Sequence, residues 1–236
     1  MEQHIKDKLE IKFKSGKSDI LVVGDVHGCF HTFKAMLEQH WTNDEILIQL
    51  GDLIDRGKFS GETIQFVQHL QKVHPNRVFI LRGNHEQELI EYVEADFNFN
   101  WMRQRGYKTL ESLSRLGLSL IETANWMKNL PLYWECARIS ISHAGIAQGV
   151  SNPFDPNHRD GVVWTRQSLK KLDKIQIVGH TPTRSGMPEY DPCSHSWYID
   201  TGACFSGYLS AIKLSSQGEI IDTYSIKTHS KDIQNI

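Results

Sequence analysis

Gly51-Asp52-Leu53-Ile54-Asp55-Arg56-Gly57 follows directly on Glu45-Ile46-Leu47-Ile48-Gln49-Leu50. The second run is short, apolar and rich in β-branched residues, which is the pattern of a buried strand. Asp52 therefore stands where a strand ends and the chain turns. In open α/β sheets, ligands bind at the carboxyl ends of strands. The same build recurs along the chain. Residues 20–23 run into Gly24-Asp25-Val26-His27-Gly28, and residues 77–81 into Arg82-Gly83-Asn84-His85-Glu86. Residues 175–178 run into Gly179-His180, and residues 138–142 end in His143. Five strands thus each deliver Asp, Asn or His at the exit, and these are metal-ligand types.

A chain of 236 residues is long enough to bury a two-sided core, and one domain spanning 1–236 is expected. Apolar residues make up 39% and charged residues 23%, as in ordinary globular proteins. A net charge of −2 provides no overall basic field, so nucleic acid and anionic membranes are not expected partners. No apolar run approaches membrane-span length and the first residues lack a signal-peptide core, which makes the cytoplasm the default location. Cys29, Cys136, Cys193 and Cys204 are scattered, so they read as free thiols rather than a zinc knuckle or a disulfide framework.

Helical periodicity over 29–40 and 60–74 alternates with the first three strands, which implies a parallel sheet with right-handed crossovers. From 87 to 130 the strand pattern vanishes. Apolar stripes at Leu89, Ile90 and Val93, then Leu110, Leu113 and Leu116, mark a helical insertion that also holds Phe97, Phe99, Trp101, Tyr107 and Trp126. It either supplies part of a substrate wall or packs as a subdomain without substrate contact. Residues 149–161 form a long loop. Residues 197–226 read as three strands in a second, mixed or antiparallel sheet packed on the first. Residues 9–13 suggest an edge strand, and 227–236 a frayed end.

Singly, each strand-exit motif is commonplace. Jointly, adjacent loops would bring Asp25, His27, Asp52, Asn84, His143 and His180 to one place. Hard oxygen mixed with imidazole nitrogen suits manganese, iron or zinc better than magnesium or calcium. Six ligands are too many for one catalytic ion that must keep open positions. They suit two ions about 3.5–4 Å apart that share a carboxylate. Asp52 is the central candidate for that shared ligand.

Gly24-Asp-Val-His-Gly28, Gly51-Asp-Leu-Ile-Asp-Arg-Gly57 and Gly83-Asn-His-Glu86 resemble the three signature motifs of the PPP metallophosphatases, within the calcineurin-like phosphoesterases. His143-Ala-Gly, Trp164-Thr-Arg166, Gly179-His-Thr-Pro182 and Ile199-Asp-Thr-Gly-Ala203 extend the likeness toward the compact bacterial and bacteriophage lambda-type serine/threonine protein phosphatases. The resemblance spans about 20–214 and is poor over the helical insertion. It implies an α/β sandwich of two β-sheets flanked by helices. It further implies two divalent ions, manganese first with iron and zinc as alternatives. Asp25, His27 and Asp52 would hold one ion, and Asp52, Asn84, His143 and His180 the other. A hydroxide between them would attack phosphorus in line. His85 is assigned as general acid, with Asp55 orienting it and keeping it cationic. Arg56, Arg82 and Arg166 are assigned as phosphate clamps. Glu86 reads as a helix cap or a brace of the site rather than a ligand.

The leading expectation is a metal-dependent hydrolase of phosphoserine and phosphothreonine, with phosphotyrosine as an extension, acting as a monomer on phosphorylated proteins or small phosphoesters. The presence of Asp55 argues for it. The alternative is a dinucleoside polyphosphate hydrolase of the same fold. A scaffold that has lost activity is the third reading, and it is disfavoured because no ligand and no His85 is missing.

Overall fold

The computed structural model describes residues 18–95 and 97–233. The suggested edge strand at 9–13 lies outside them. Two five-stranded sheets form the body, in the orders β10-β9-β1-β2-β3 and β4-β5-β6-β8-β7. In the first sheet β1 is Ile20–Val23, β2 Ile46–Gln49, β3 Val78–Ile80, β9 Tyr208–Leu214 and β10 Ile220–Lys227. In the second, β4 is Tyr133–Glu135, β5 Ile139–Ser142, β6 Ile175–Val178, β7 Glu189–Asp191 and β8 Ser196–Tyr198. Helix α1, Phe30–His40, connects β1 to β2, and α2, Ser60–Val73, connects β2 to β3. Both strand pairs are parallel, as helical crossovers require.

Side-chain alternation explains why these strands are apolar throughout. Ile20 and Val22 of β1 and Ile46 and Ile48 of β2 face the second sheet, where they meet Trp134, Ile139, Ile141 and Ile177. Leu21, Val23 and Leu47 face the other way, onto Phe33 and Met36 of α1 and Ile64 and Val67 of α2. A strand covered on both faces must be apolar at every position. Each such side chain taken fully out of water contributes roughly 1.5–3 kcal/mol.

Between β3 and β4 lie four helices: α3 Asn84–Glu94, α4 Phe99–Arg103, α5 Gly106–Arg115 and α6 Leu120–Lys128. Helix α3 starts inside the Gly83-Asn-His-Glu motif, three residues before the expected insertion. Trp101, Leu113, Ala124 and Met127 join the core on the helical side of the first sheet.

The structure corrects the reading of the tail. Only β8 enters the second sheet. Strand β9 pairs antiparallel with β1, from Ile20↔Leu214 to Val23↔Ala211, and β10 pairs with β9, so both extend the first sheet. Nor is the end frayed up to residue 233. Asp232 is fully buried and accepts hydrogen bonds from the backbone N–H groups of His31 and Thr32, at 3.1 and 2.8 Å, and from the Thr32 hydroxyl at 2.6 Å. Its carboxylate caps the amino end of α1, where the helix dipole favours negative charge.

Candidate metal centre

The carboxyl ends of β1, β2 and β3 lie side by side, and those of β5, β6 and β8 face them from the second sheet. The exit loops are tightly folded. His27, Asp52, Asp55, Arg56 and His180 all have positive φ, between 46° and 69°. Backbone held there by non-glycine residues costs of order 1–3 kcal/mol each and concentrates at functional sites. The β2 and β3 loops press together at Gly51 and Gly83. A Cβ on Gly51, whose φ is 97°, would stand 2.3 Å from the Gly83 nitrogen. One on Gly83 would stand 2.3 Å from Asp52 Oδ1.

Glu86, on the first turn of α3, locks these loops. Its Oε2 accepts hydrogen bonds from the N–H groups of Asp52 (2.7 Å) and Gly83 (2.9 Å), and its Oε1 accepts one from Leu53 (2.8 Å). It is therefore both a cap, at the third helical position, and a brace of the β2 loop. Burial, with the nearby Asp52 charge, pushes its carboxyl up to about 7, partly offset by the three donors.

Asp25, His27, Asp52, Asn84, His143 and His180 are all buried and converge at these loops. His143 Nδ1 donates to the Leu50 carbonyl (3.0 Å), His27 Nδ1 to that of Ile54 (2.8 Å) and His180 Nε2 to that of Trp164 (3.1 Å). A carbonyl can only accept, so each outer nitrogen carries the proton and each inner nitrogen presents a lone pair. Burial keeps all three imidazoles below their ordinary pKa, with Arg56 adding to the effect at His27 and His143 at His180.

The inner nitrogens meet further acceptors. His180 Nδ1 lies 2.8 Å from Asn84 Oδ1, and His143 Nε2 lies 3.1 Å from the same oxygen and 3.2 Å from His180 Nδ1. Asp52 Oδ1 is 3.4 Å from His143 Nε2, and Asp52 Oδ2 is 3.3 Å from His27 Nε2. Around His143, His180 and Asn84 the lone pairs converge without hydrogens between them and repel, and a cation among them removes the repulsion. Three groups of side chains, His27–Asp52–His85, Asp52–His143–His180 and Asp55–His85–Glu88, have potential ligand atoms within 4.8 Å of one another, and Asp52 belongs to the first two. These residues could hold a metal centre. Asp25 adds a carboxylate that accepts from the His180 N–H at 3.1 Å. Burial, then the Asp200 and Asp52 charges, pushes Asp25 well above the usual carboxylate range. Burial also works against the charge of Asp52, but His143, His85, His27 and Arg56 around it hold it well below that range.

His85 stands apart. Its Nδ1 donates to Asp55 Oδ2 at 2.5 Å, and its Nε2 lies buried without a hydrogen-bond partner, 4.0 Å from Asp52 Oδ2. Burial opposes its charge, but Asp52 and Asp55 outweigh burial and push it up to about 9. A cationic imidazole with an open N–H is a proton donor at neutral pH.

Asp55 is itself held by the helical insertion, a role that neither expectation for the insertion contained. Trp101 Nε1 donates to Asp55 Oδ2 at 2.7 Å and the Thr109 hydroxyl to Oδ1 at 2.5 Å. Gly106 lies against the Trp101 ring, 2.4 Å from where its Cβ would stand. No sequence signal ties Trp101 or Thr109 to Asp55. Asp200, part of the Ile199-Asp-Thr-Gly-Ala203 motif, carries no role in the sequence reading. It follows β8 as Asp25 follows β1, so the strand-exit pattern could have found it. It is buried, Oδ1 accepts from Gly202 N–H (3.0 Å), and Oδ2 has no hydrogen-bond partner.

The three arginines differ. Arg56 donates to His27 Nε2 at 2.7 Å, at the edge of the cluster. Arg166 is exposed and reaches the Thr181 hydroxyl at 3.2 Å. Arg82, also expected as a phosphate clamp, lies in other contacts in this structure. Its guanidinium is committed to Gln87 Oε1 (3.1 Å) and to the carbonyls of Lys128 (2.5 Å) and Leu130 (3.3 Å), where it ties down the carboxyl end of α6.

Residues 18–204 match the calcineurin-like phosphoesterase family model, and the chain belongs to that family. It is 30% identical over 230 residues to the asymmetrical bis(5′-nucleosyl)-tetraphosphatase PrpE of Anoxybacillus flavithermus, a match covering 81% of this chain and 89% of the relative. It is 40% identical to the Candida albicans serine/threonine-protein phosphatase PP2A-like PPG1, but over 75 residues, 31% of this chain and 18% of that one. A Saccharomyces cerevisiae protein serine/threonine phosphatase with similarity to human phosphatase PP5 shares the fold, with a TM-score of 0.63 and 16% identity over 97% of this chain and 91% of that one.

Proposed function

We propose that this calcineurin-like phosphoesterase is a binuclear-metal hydrolase of dinucleoside polyphosphates, with diadenosine tetraphosphate as the reference substrate. The observation that carries this reading is the extent of likeness. The similarity to the bis(5′-nucleosyl)-tetraphosphatase PrpE covers 81% of the chain, whereas that to the PP2A-like phosphatase PPG1 covers 31%. Catalytic motifs are common to both activities, so likeness outside them bears on the substrate. This reading replaces the phosphoprotein expectation as the leading one.

Asp25, His27 and Asp52 would hold one divalent ion and Asp52, Asn84, His143 and His180 the other, with manganese the first choice for this oxygen–imidazole set. When bound, such ions lower the pKa of a water and neutralise phosphate charge. Asp52 is the one ligand whose two oxygens face both halves of the set. His85, kept cationic and oriented by Asp55, would give its Nε2 proton to the leaving oxygen. Arg56 would bind a phosphate oxygen beside His27, and Arg166 would act from the rim.

One observation favours the phosphoprotein reading as a second. The His85–Asp55 dyad matters most for a leaving alkoxide such as serine's, because a phosphate leaves as an anion that is already stable. The discriminating measurement is kcat/KM for diadenosine tetraphosphate and for a phosphoserine peptide at the same manganese concentration. A dinucleotide preference of about tenfold, ~1.4 kcal/mol, or more is expected. A peptide preference of that size would reverse the assignment.

A further inference from the structure

A recess of about 440 Å³ opens between α4, the turn into α5 and the loop after β8. Arg56, Arg103, Arg105, Cys204, Phe205 and Ser206 line it, and no acidic residue does. We propose that it binds the nucleoside-polyphosphate arm of the substrate, with the phosphates on the arginines and the base on Phe205; this rests on the dinucleotide reading above.

Four observations point there. Arg56 joins the recess to the cluster: its Nη1 is 2.7 Å from His27 Nε2, and its guanidinium carbon lies 5.5 Å from the centre of the Phe205 ring. A chain of phosphates leaving the cluster therefore meets Arg56 first. Arg103 and Arg105 are exposed, and among the described residues neither forms an ion pair with an acid. Three guanidiniums without a carboxylate among them match a polyanion, and guanidinium matches phosphate geometry. Phe205 is 65% exposed, more than any other large apolar side chain among the described residues. An exposed ring beside cations is the platform on which a base stacks. Finally, the volume falls within the range of small-molecule sites.

A second recess of similar size excludes itself. It is lined by Glu88 and Glu91 beside Trp164, with Arg159 as its only cation, and so it repels polyphosphate.

The test is calorimetric titration of the manganese-loaded full chain with three probes: the β,γ-imido analogue of ATP, inorganic tripolyphosphate and adenosine. The analogue should bind wild type. The double variant Arg103→Ser with Arg105→Ser should weaken both the analogue and tripolyphosphate by at least about tenfold. Phe205→Ala should weaken the analogue roughly tenfold and leave tripolyphosphate unchanged. These side chains are exposed, so melting temperatures should match wild type. Lys170→Ser with Lys171→Ser removes the same charge from an exposed loop outside the recess and should leave all three affinities unchanged. The inference is overturned if wild type does not bind the analogue, or if the analogue binds the arginine and Phe205 variants as it binds wild type. Binding is read here without turnover, so this failure is distinct from a peptide preference in kcat/KM.

Discussion

Trp101→Phe isolates what the helical insertion does for the chemistry. The substitution keeps a six-membered ring against Gly106 and removes the one N–H that donates to Asp55 Oδ2 at 2.7 Å. The Asp55 carboxylate is fully buried, so no water replaces the donor. A hydrogen bond to a charged group is worth roughly 1.5–3 kcal/mol, and the smaller ring adds about 1 kcal/mol for the space it leaves. The sum, about 2.5–4 kcal/mol, should lower the melting temperature by roughly 5–16 °C in a chain of this length. Asp55 would keep only Thr109 and His85 as partners and would rotate, taking His85 with it. Turnover of phenyl phosphate, whose leaving oxygen needs a proton, should fall about tenfold well below the melting temperature. The comparison is Leu113→Ala, a buried change in the same core that removes no hydrogen bond to Asp55, which should cost a similar ~2–5 kcal/mol and leave kcat near wild type. If both variants melt early and both keep kcat, the insertion supports the fold and not the dyad, and the reasoning is wrong.

His85→Asn should retain both metals by elemental analysis and lose roughly a hundredfold or more in kcat on alkyl phosphates. The loss should shrink for nitrophenyl phosphate and for the dinucleotide, whose leaving groups need no proton; an equal loss throughout would remove His85 as the acid. Asp52→Asn should bind less than one metal per chain where wild type binds about two, since one carboxylate serves both ligand groups; retention of one tightly held ion would show that it is not shared. Arg82→Met should lower the melting temperature by several degrees, because the Lys128 and Leu130 carbonyls lose their donor, and leave KM unchanged. A raised KM with normal stability would restore Arg82 to the phosphate.

The strand-exit positions of Asp25, His27, Asp52, Asn84, His143 and His180 were determined by the sequence alone. Strands covered by helix on one face and sheet on the other read as short continuous apolar runs, and the turn residues that follow are local. The parallel order of β1, β2 and β3 was legible for the same reason, since short helical crossovers leave no other arrangement. Which sheet the tail strands join was not. The residues of β9 would read alike in either sheet, and the choice was made by pairing with β1, nearly two hundred positions away in the chain. Side-chain partnerships across such distances were equally hidden. Arg82 sits in a motif that suggests phosphate, yet three acceptors, on α3 and at the carboxyl end of α6, claim its guanidinium. Trp101 and Thr109 reach Asp55 across some fifty residues, and nothing periodic marks a donor by the acceptor it will find. Substrate class followed the same division. The motif residues prescribe phosphoryl chemistry, which any phosphate can undergo, while the recess around Arg103, Arg105 and Phe205 exists only once the insertion folds against the loop after β8.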